Sequence, residues 1–247
     1  MMEFERYAHP NVVLRRYHLK RLTMVIDILK KLEKSLNQTE TVFLDVGCGD
    51  GAYEVALEKN FGYLAGLDAI RQNLQTAERE AKNAGKVDFV LADAKHLPFK
   101  DMSIDVVLCS EVLEHVSDPS GALTELSRVS KYALIVTVPI LNAIRRLRVI
   151  QWDTRLDRIE SDVGHVNMHE WSWWTSAINE AVGKHESSYE VKTLHIYVSS
   201  EPFTSIFASL NDSAAYAFLD KVLGVLENFL SRAIFANHLI IVLTARQ

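Results

Sequence analysis

The chain has 247 residues, of which 48% are hydrophobic and 24% charged, with a formal net charge of -5. That is the composition of one ordinary globular domain large enough to bury a core without staples. It argues against nucleic acid as the main partner, since phosphate binding needs a positive field. The two cysteines, Cys48 and Cys109, form no CxxC pair, so neither a disulfide framework nor a cysteine zinc site is expected.

The first predicted element is an amphipathic helix over Tyr17 to Leu36, with Leu19, Leu22, Val25, Ile26, Leu29 and Leu32 at helical spacing. Its lysines and arginines read as a solvated face. A strand over Thr41 to Val46 runs into Gly47, Gly49 and Gly51, and a helix over Ala52 to Asn60 follows. The next elements are a strand at Tyr63 to Asp68, a helix at Ile70 to Ala84 and strands at Val87 to Leu91 and Ile104 to Cys109. A helix from Pro119 to Ser130 and a strand from Tyr132 to Val138 complete this alternation. Later elements are a helix over Ser172 to Val182, strands at Glu190 to Val198 and His238 to Ala245, and between them a helical insertion.

Strands that are nearly continuous apolar runs, alternating with helices, predict a doubly wound α/β fold. The sheet is mostly parallel and seven-stranded, with helices on both faces and the insertion before the last strand. In such sheets ligands sit at the carboxyl ends of the strands, where the order reverses. One domain is expected over 1–247. It divides into an N-terminal helical segment (1–40), a cofactor-binding core (41–139), a substrate-side segment (140–190), a helical insertion (200–236) and a last strand (237–247). The charged N-terminal stretch carries no apolar signal core, and no apolar run is long enough to span a membrane. The expected compartment is cytoplasmic.

The most informative stretch is Leu44 to Gly51, LDVGCGDG, in which three alternating glycines join a strand to a helix. Backbone there can turn tightly and lie against a ligand, beside the unsatisfied N–H groups of a helix start. A dinucleotide loop has the spacing G-x-G-x-x-G, whereas this one is G-x-G-x-G with Asp45 just before it. A carboxylate there repels a pyrophosphate but suits an ammonium, so an amino-acid moiety fits better. Asp68, ending the second strand, can accept hydrogen bonds from ribose hydroxyls, although aspartate also caps helices. Asp93 and Ala94 follow the third strand, where a carboxylate can accept from an exocyclic amine. Ser110, Glu111, Glu114 and His115 follow the fourth.

In this order, Leu44 to Gly51, Leu67-Asp68, Leu91 to Ala94 with Leu97-Pro98-Phe99, and Ser110 to Val116 resemble the class I S-adenosylmethionine-dependent methyltransferases. The likeness is greatest to the small-molecule subgroup that includes the ubiquinone-biosynthesis enzymes. It covers about 41–139 and implies an antiparallel last strand. It also implies roles: Gly47, Gly49 and Gly51 line the methionine part of S-adenosylmethionine with Asp45 nearby, Asp68 holds the ribose, and Asp93 with the Ala94 N–H contacts adenine. Ser110 and Glu111 lie beside the methyl path.

His115 and Glu111 are the candidate catalytic groups, although methyl transfer from a sulfonium can proceed on alignment alone. His165, in a segment resembling one that closes over the acceptor, and Trp171 are candidate acceptor contacts, with aromatic packing as the plainer reading for the tryptophans. His165 and His169 lack a convincing third ligand, so no metal is expected. The expected reaction is methyl transfer to an O, N or C nucleophile on a small-molecule or lipid-like acceptor. A non-catalytic cofactor-binding subunit or scaffold is the alternative, and a nicotinamide-dependent oxidoreductase is disfavoured by the glycine spacing. The apolar stripe over 213–235 is a core face, a homodimer contact, a substrate lid or a membrane-surface contact.

Overall fold

A computed structural model describes residues 12–36, 40–140, 166–167, 169–183, 189–197 and 238–245, with backbone alone at some of them. The helical insertion expected at 200–236, the 213–235 stripe within it, and His165 lie outside the described residues.

In chain order the elements are α1 (Val12–Glu33), β1 (Val42–Val46), α2 (Ala52–Leu57), β2 (Tyr63–Asp68), α3 (Arg71–Glu80), β3 (Val87–Leu91) and β4 (Ile104–Ser110). A single 3-10 turn (Leu113–His115) follows, then α4 (Pro119–Val129), β5 (Ser130–Pro139), α5 (Trp171–Gly183), β6 (Tyr189–Tyr197) and β7 (His238–Ala245). The strands form a seven-stranded sheet in the order β3-β2-β1-β4-β5-β7-β6. The first five pair in parallel, while β7 runs antiparallel to both β5 and β6. The order reverses between β1 and β4, so the carboxyl ends of these two strands flank the crevice this topology opens.

Period-two alternation distributes each central strand between two cores. Leu44 and Val46 of β1, with Val107 and Cys109 of β4, face a cluster holding Leu123 and Leu126 of α4 and Trp174 and Ile178 of α5. Phe43, Val106 and Leu108 face the opposite cluster, with Val25 and Leu29 of α1 and Tyr53 and Leu57 of α2. Burial of both faces is why the strands read as unbroken apolar runs.

Several boundaries differ from the sequence expectation. α1 begins at Val12 and stops at Glu33, before the turn in which Ser35 and Leu36 donate to the Leu32 and Glu33 carbonyls. α2 stops at Leu57, ahead of the turn closed by Asn60 N–H on Leu57 O. α3 ends at Glu80, where Ala81 caps it before a Lys-Asn-Ala-Gly turn. β5 starts at Ser130, directly at the end of α4, because Ser130 pairs with Ile104 and the register shifts before Val106. The basic residues of α1 do not all face solvent: Arg21 is 5% exposed.

Candidate functional site

At the carboxyl end of β1 the chain adopts the left-handed conformation at all three alternating glycines, with φ of 81° at Gly47, 58° at Gly49 and 79° at Gly51. Side chains at such angles are strained. Space forbids one as well: a Cβ on Gly47 would drive into Val112 Cγ2, and one on Gly51 would lie 3.0 Å from Ala77 Cβ. The turn is pinned by backbone bonds, Gly47 N–H and Cys48 N–H both donating to Leu67 O of β2 at 2.6 and 3.0 Å.

Asp68, ending β2, is 7% exposed and organises the crevice. Its Oδ2 accepts from Gly49 N–H at 3.0 Å and from the Asn73 side-chain amide at 3.2 Å, and its Oδ1 accepts from Ile70 N–H at 2.8 Å. A carboxylate offers about four acceptor directions. The two backbone donors leave one direction on each oxygen: the Asn73 amide takes that on Oδ2, and no donor among the described residues takes that on Oδ1. A vicinal diol presents two hydroxyl donors, a pattern such a carboxylate can accept.

The loop is strongly acidic. Asp45 is 1% exposed and Glu54, on α2, is wholly buried. Burial, and then the nearby Asp45 and Asp50 charges, push the Glu54 carboxyl well above its ordinary range. Burial, and then the neighbouring acidic side chains, raise the Cys48 thiol, which disfavours the thiolate. This field attracts a cationic sulfonium or ammonium and repels a pyrophosphate. The residues therefore fit S-adenosylmethionine in conformation, in acceptor orientation and in charge.

The β4 end carries a polar network. Ser110 Oγ lies 3.3 Å from the Tyr53 hydroxyl of α2 and 3.0 Å from Thr137 Oγ1 of β5. Thr137 Oγ1 donates to Glu111 Oε1 at 3.0 Å, and Arg21 of α1 meets Glu111 Oε2 at 3.2 Å. Glu111 has φ of 58°, a conformation held by its N–H on Thr137 O at 3.0 Å. Glu114 is buried in the 3-10 turn; burial, then the Glu111 charge, keep its carboxyl well above the ordinary range. His115 projects to the surface, 40% exposed, with Nε2 3.9 Å from Glu114 Oε1.

Asp93 stands at the β3 end with its side chain 49% exposed, accepting from Lys95 N–H at 2.9 Å and facing Lys95 Nζ at 3.6 Å. Ala94 beside it is buried. A segment from beyond β5 docks on the 3-10 turn: Val166 and Asn167 N–H donate to Glu114 O at 2.8 and 3.0 Å, and the Asn167 amide donates to Val116 O. His169 stacks on Trp173 with ring centroids 3.7 Å apart and meets Trp174 edge-on. Burial holds the His169 imidazole below its ordinary range. Trp174 is fully buried and Trp173 packs against the same core, whereas Trp171 is 37% exposed.

The crevice thus gathers Asp45, Gly47, Gly49, Gly51, Asp68, Ser110 and Glu111 along neighbouring strand ends. Asp93 and Ala94 stand at the β3 edge, and His115 and Trp171 on the exposed rim. Sequence reasoning missed Tyr53, Thr137 and Arg21. Tyr53 follows Gly51 by two positions and Arg21 interrupts an apolar stripe, but only the tertiary fold brings them together. No group of acidic, histidine and cysteine side chains suited to a metal occurs among the described residues. None of the described helices is long and apolar enough to cross a membrane.

Residues 44–133 match a family model described as "Methyltransferase domain". Among curated proteins, the chain is 34% identical over 107 residues to a ubiquinone biosynthesis O-methyltransferase of Vibrio atlanticus, covering 41% of this chain and 45% of that protein. It is 37% identical over 91 residues to norajmaline N-methyltransferase of Rauvolfia serpentina, covering 35% and 31%. The matches thus span less than half the length of these relatives. Among solved structures, magnesium protoporphyrin IX methyltransferase from Synechocystis PCC 6803 with bound SAH superposes with a TM-score of 0.62 at 16% identity, covering 96% of this chain and 88% of that one.

Proposed function

We propose that this chain, whose residues 44–133 match a methyltransferase domain, is a class I S-adenosylmethionine-dependent methyltransferase that transfers a methyl group to an O, N or C nucleophile on a small-molecule or lipid-like acceptor. The observation that carries this reading is the left-handed glycine turn backed by an oriented Asp68 carboxylate. The relatives named for O- and N-methyl transfer to small molecules support the acceptor class.

When bound, the sulfonium supplies an electrophilic methyl group, and this chain's residues hold and orient it. Gly47, Gly49 and Gly51 press backbone against the methionine end, with the Asp45 carboxylate facing its ammonium. Asp68 takes the ribose hydroxyls as the Asn73 amide moves off. Asp93 and the Ala94 N–H meet the adenine edge, and Ser110 and Glu111 face the methionine and the methyl path. His115 is the group placed to take a proton from the acceptor, since it combines an exposed imidazole with a place beside the β4 end. His165 and Trp171 contact the acceptor.

The same reading treats 1–247 as one domain, with acceptor specificity in 140–190 and a helical insertion at 200–236. The 213–235 stripe then serves as core face, lid, dimer contact or membrane-surface contact. Two buried free thiols, Cys48 and Cys109, support a reducing, cytoplasmic setting. The test is incubation of the protein and cell extract with methyl-labelled S-adenosylmethionine. Label in one small molecule, lost with Asp68→Ala, supports methyl transfer. Saturable cofactor binding with no acceptor labelled from any extract would instead leave a binding subunit.

A further inference from the structure

The polar network at the β4 end has a direction. Glu111 is its anion and accepts from both sides: Arg21 approaches Oε2 at 3.2 Å, and the Thr137 hydroxyl donates to Oε1 at 3.0 Å. Because Thr137 spends its one proton on Glu111, it can only accept from Ser110, 3.0 Å away. Ser110 has then spent its proton as well, so the Tyr53 hydroxyl, 3.3 Å away, must be the donor to it. The order is Tyr53 to Ser110 to Thr137 to Glu111, with Arg21 closing the far end. The links come from α2, β4, β5, the loop after β4 and α1. Each hydroxyl polarises the next, which strengthens the series beyond separate pairs.

Two consequences follow. Ser110 and Glu111 can offer a ligand only acceptor oxygens, which is the polarity an ammonium or sulfonium requires. The anchor of the series is a cation on α1, outside the 44–133 domain, with Arg21 and Glu111 side chains only 6% and 15% exposed. Glu111 sits at φ of 58°, in the left-handed region that is unfavourable for a non-glycine residue. Its conformation is over-determined by Thr137 and Arg21, as strained residues at functional sites are.

We infer that Arg21 is a positioning residue of the active site, acting through Glu111, so that docking of α1 and ligand occupancy of the glycine-turn crevice are one coupled event. The inference rests on the methyltransferase reading. α1 thereby forms a wall of the site: its apolar face packs on the sheet through Val25 and Leu29, and Arg21 reaches the reacting edge. Loss of Arg21 removes the cation that anchors Glu111 and so loosens the order of the Thr137 and Ser110 hydroxyls.

The test uses the full chain with S-adenosylhomocysteine as probe, read by calorimetry and by hydrogen exchange of the α1 amides. Arg21→Ala is expected to weaken the probe at least tenfold and to abolish probe-dependent protection of α1, with Arg21→Lys restoring part of both. Glu111→Gln is expected to have a similar effect, and Arg21→Ala with Glu111→Gln to be no weaker than the worse single variant, since both break one link. If Arg21→Ala proves unstable, Arg21→Lys and Glu111→Gln carry the comparison. Wild-type binding with unchanged affinity and unchanged α1 protection in the variants overturns the inference and leaves the functional reading standing. Absence of probe binding to the wild type overturns both.

Discussion

Replacing Asp68 separates two tasks that one carboxylate performs. In the structure it accepts from Gly49 N–H, Ile70 N–H and the Asn73 amide at 3.0, 2.8 and 3.2 Å. In Asp68→Ala the exposed Ile70 N–H and half-buried Asn73 amide recover water. Gly49 is buried, so its N–H loses its acceptor, at a cost of about 1–3 kcal/mol. Ligand binding loses the acceptor for the ribose hydroxyls as well, again about 1–3 kcal/mol, or roughly 5- to 150-fold in affinity. Asp68→Asn should fall between, because an amide oxygen serves one side while its NH2 confronts a backbone donor on the other. Urea unfolding reads the first quantity and calorimetry with S-adenosylhomocysteine the second. If stability and affinity both stay within about 0.3 kcal/mol of wild type, Asp68 neither holds the turn nor meets the sugar.

Other expected outcomes concern the turn, the buried acids and a helix cap. Gly47→Ala must accept φ of 81° and displace Val112. A loss of about 2–5 kcal/mol follows from combined backbone strain and overpacking, measurable by denaturant unfolding. Gly66→Ala places a Cβ 2.7 Å from both Glu54 Oε1 and Phe89, so it should cost about 1–3 kcal/mol, less if Glu54 can shift. The Glu54 carboxyl holds its proton more tightly folded than at its ordinary value of 4.5, so its contribution is intact below that pH and is lost as pH rises. Glu54→Gln should therefore raise Tm at neutral pH, with the gain shrinking toward pH 4.5; equal gain at both would show that ionisation is not involved. Asp118→Ala removes the acceptor for Gly121 N–H, 2.9 Å away at the start of α4, and should cost about 1 kcal/mol in thermal or urea unfolding.

Much of the crevice was legible in the sequence because it is built from local chemistry. An unbroken apolar strand followed by alternating glycines announces a turn pressed against a ligand, and an aspartate ending the next strand is brought beside it by the parallel register. Gly47 and Leu67 show this directly, joined across β1 and β2 by a backbone bond. What was not legible depends on distant segments meeting. Arg21 sits among lysines and arginines on a helix that reads as solvated on its polar face, yet that position turns inward and pairs with Glu111. The buried Glu54 carboxyl is invisible to periodicity, since its helix is only six residues long. Trp171, Trp173 and Trp174 are near neighbours in sequence, but helical rotation sends Trp174 into the core and leaves Trp171 at the rim.

The measurement that bears most directly on the central claim is a calorimetric titration of the full chain with S-adenosylhomocysteine, with NAD titrated in parallel. Saturable one-to-one binding of the nucleoside ligand, and none of the dinucleotide, is the expected result. Heat from NAD alone, or from neither at about millimolar concentration, would contradict the account.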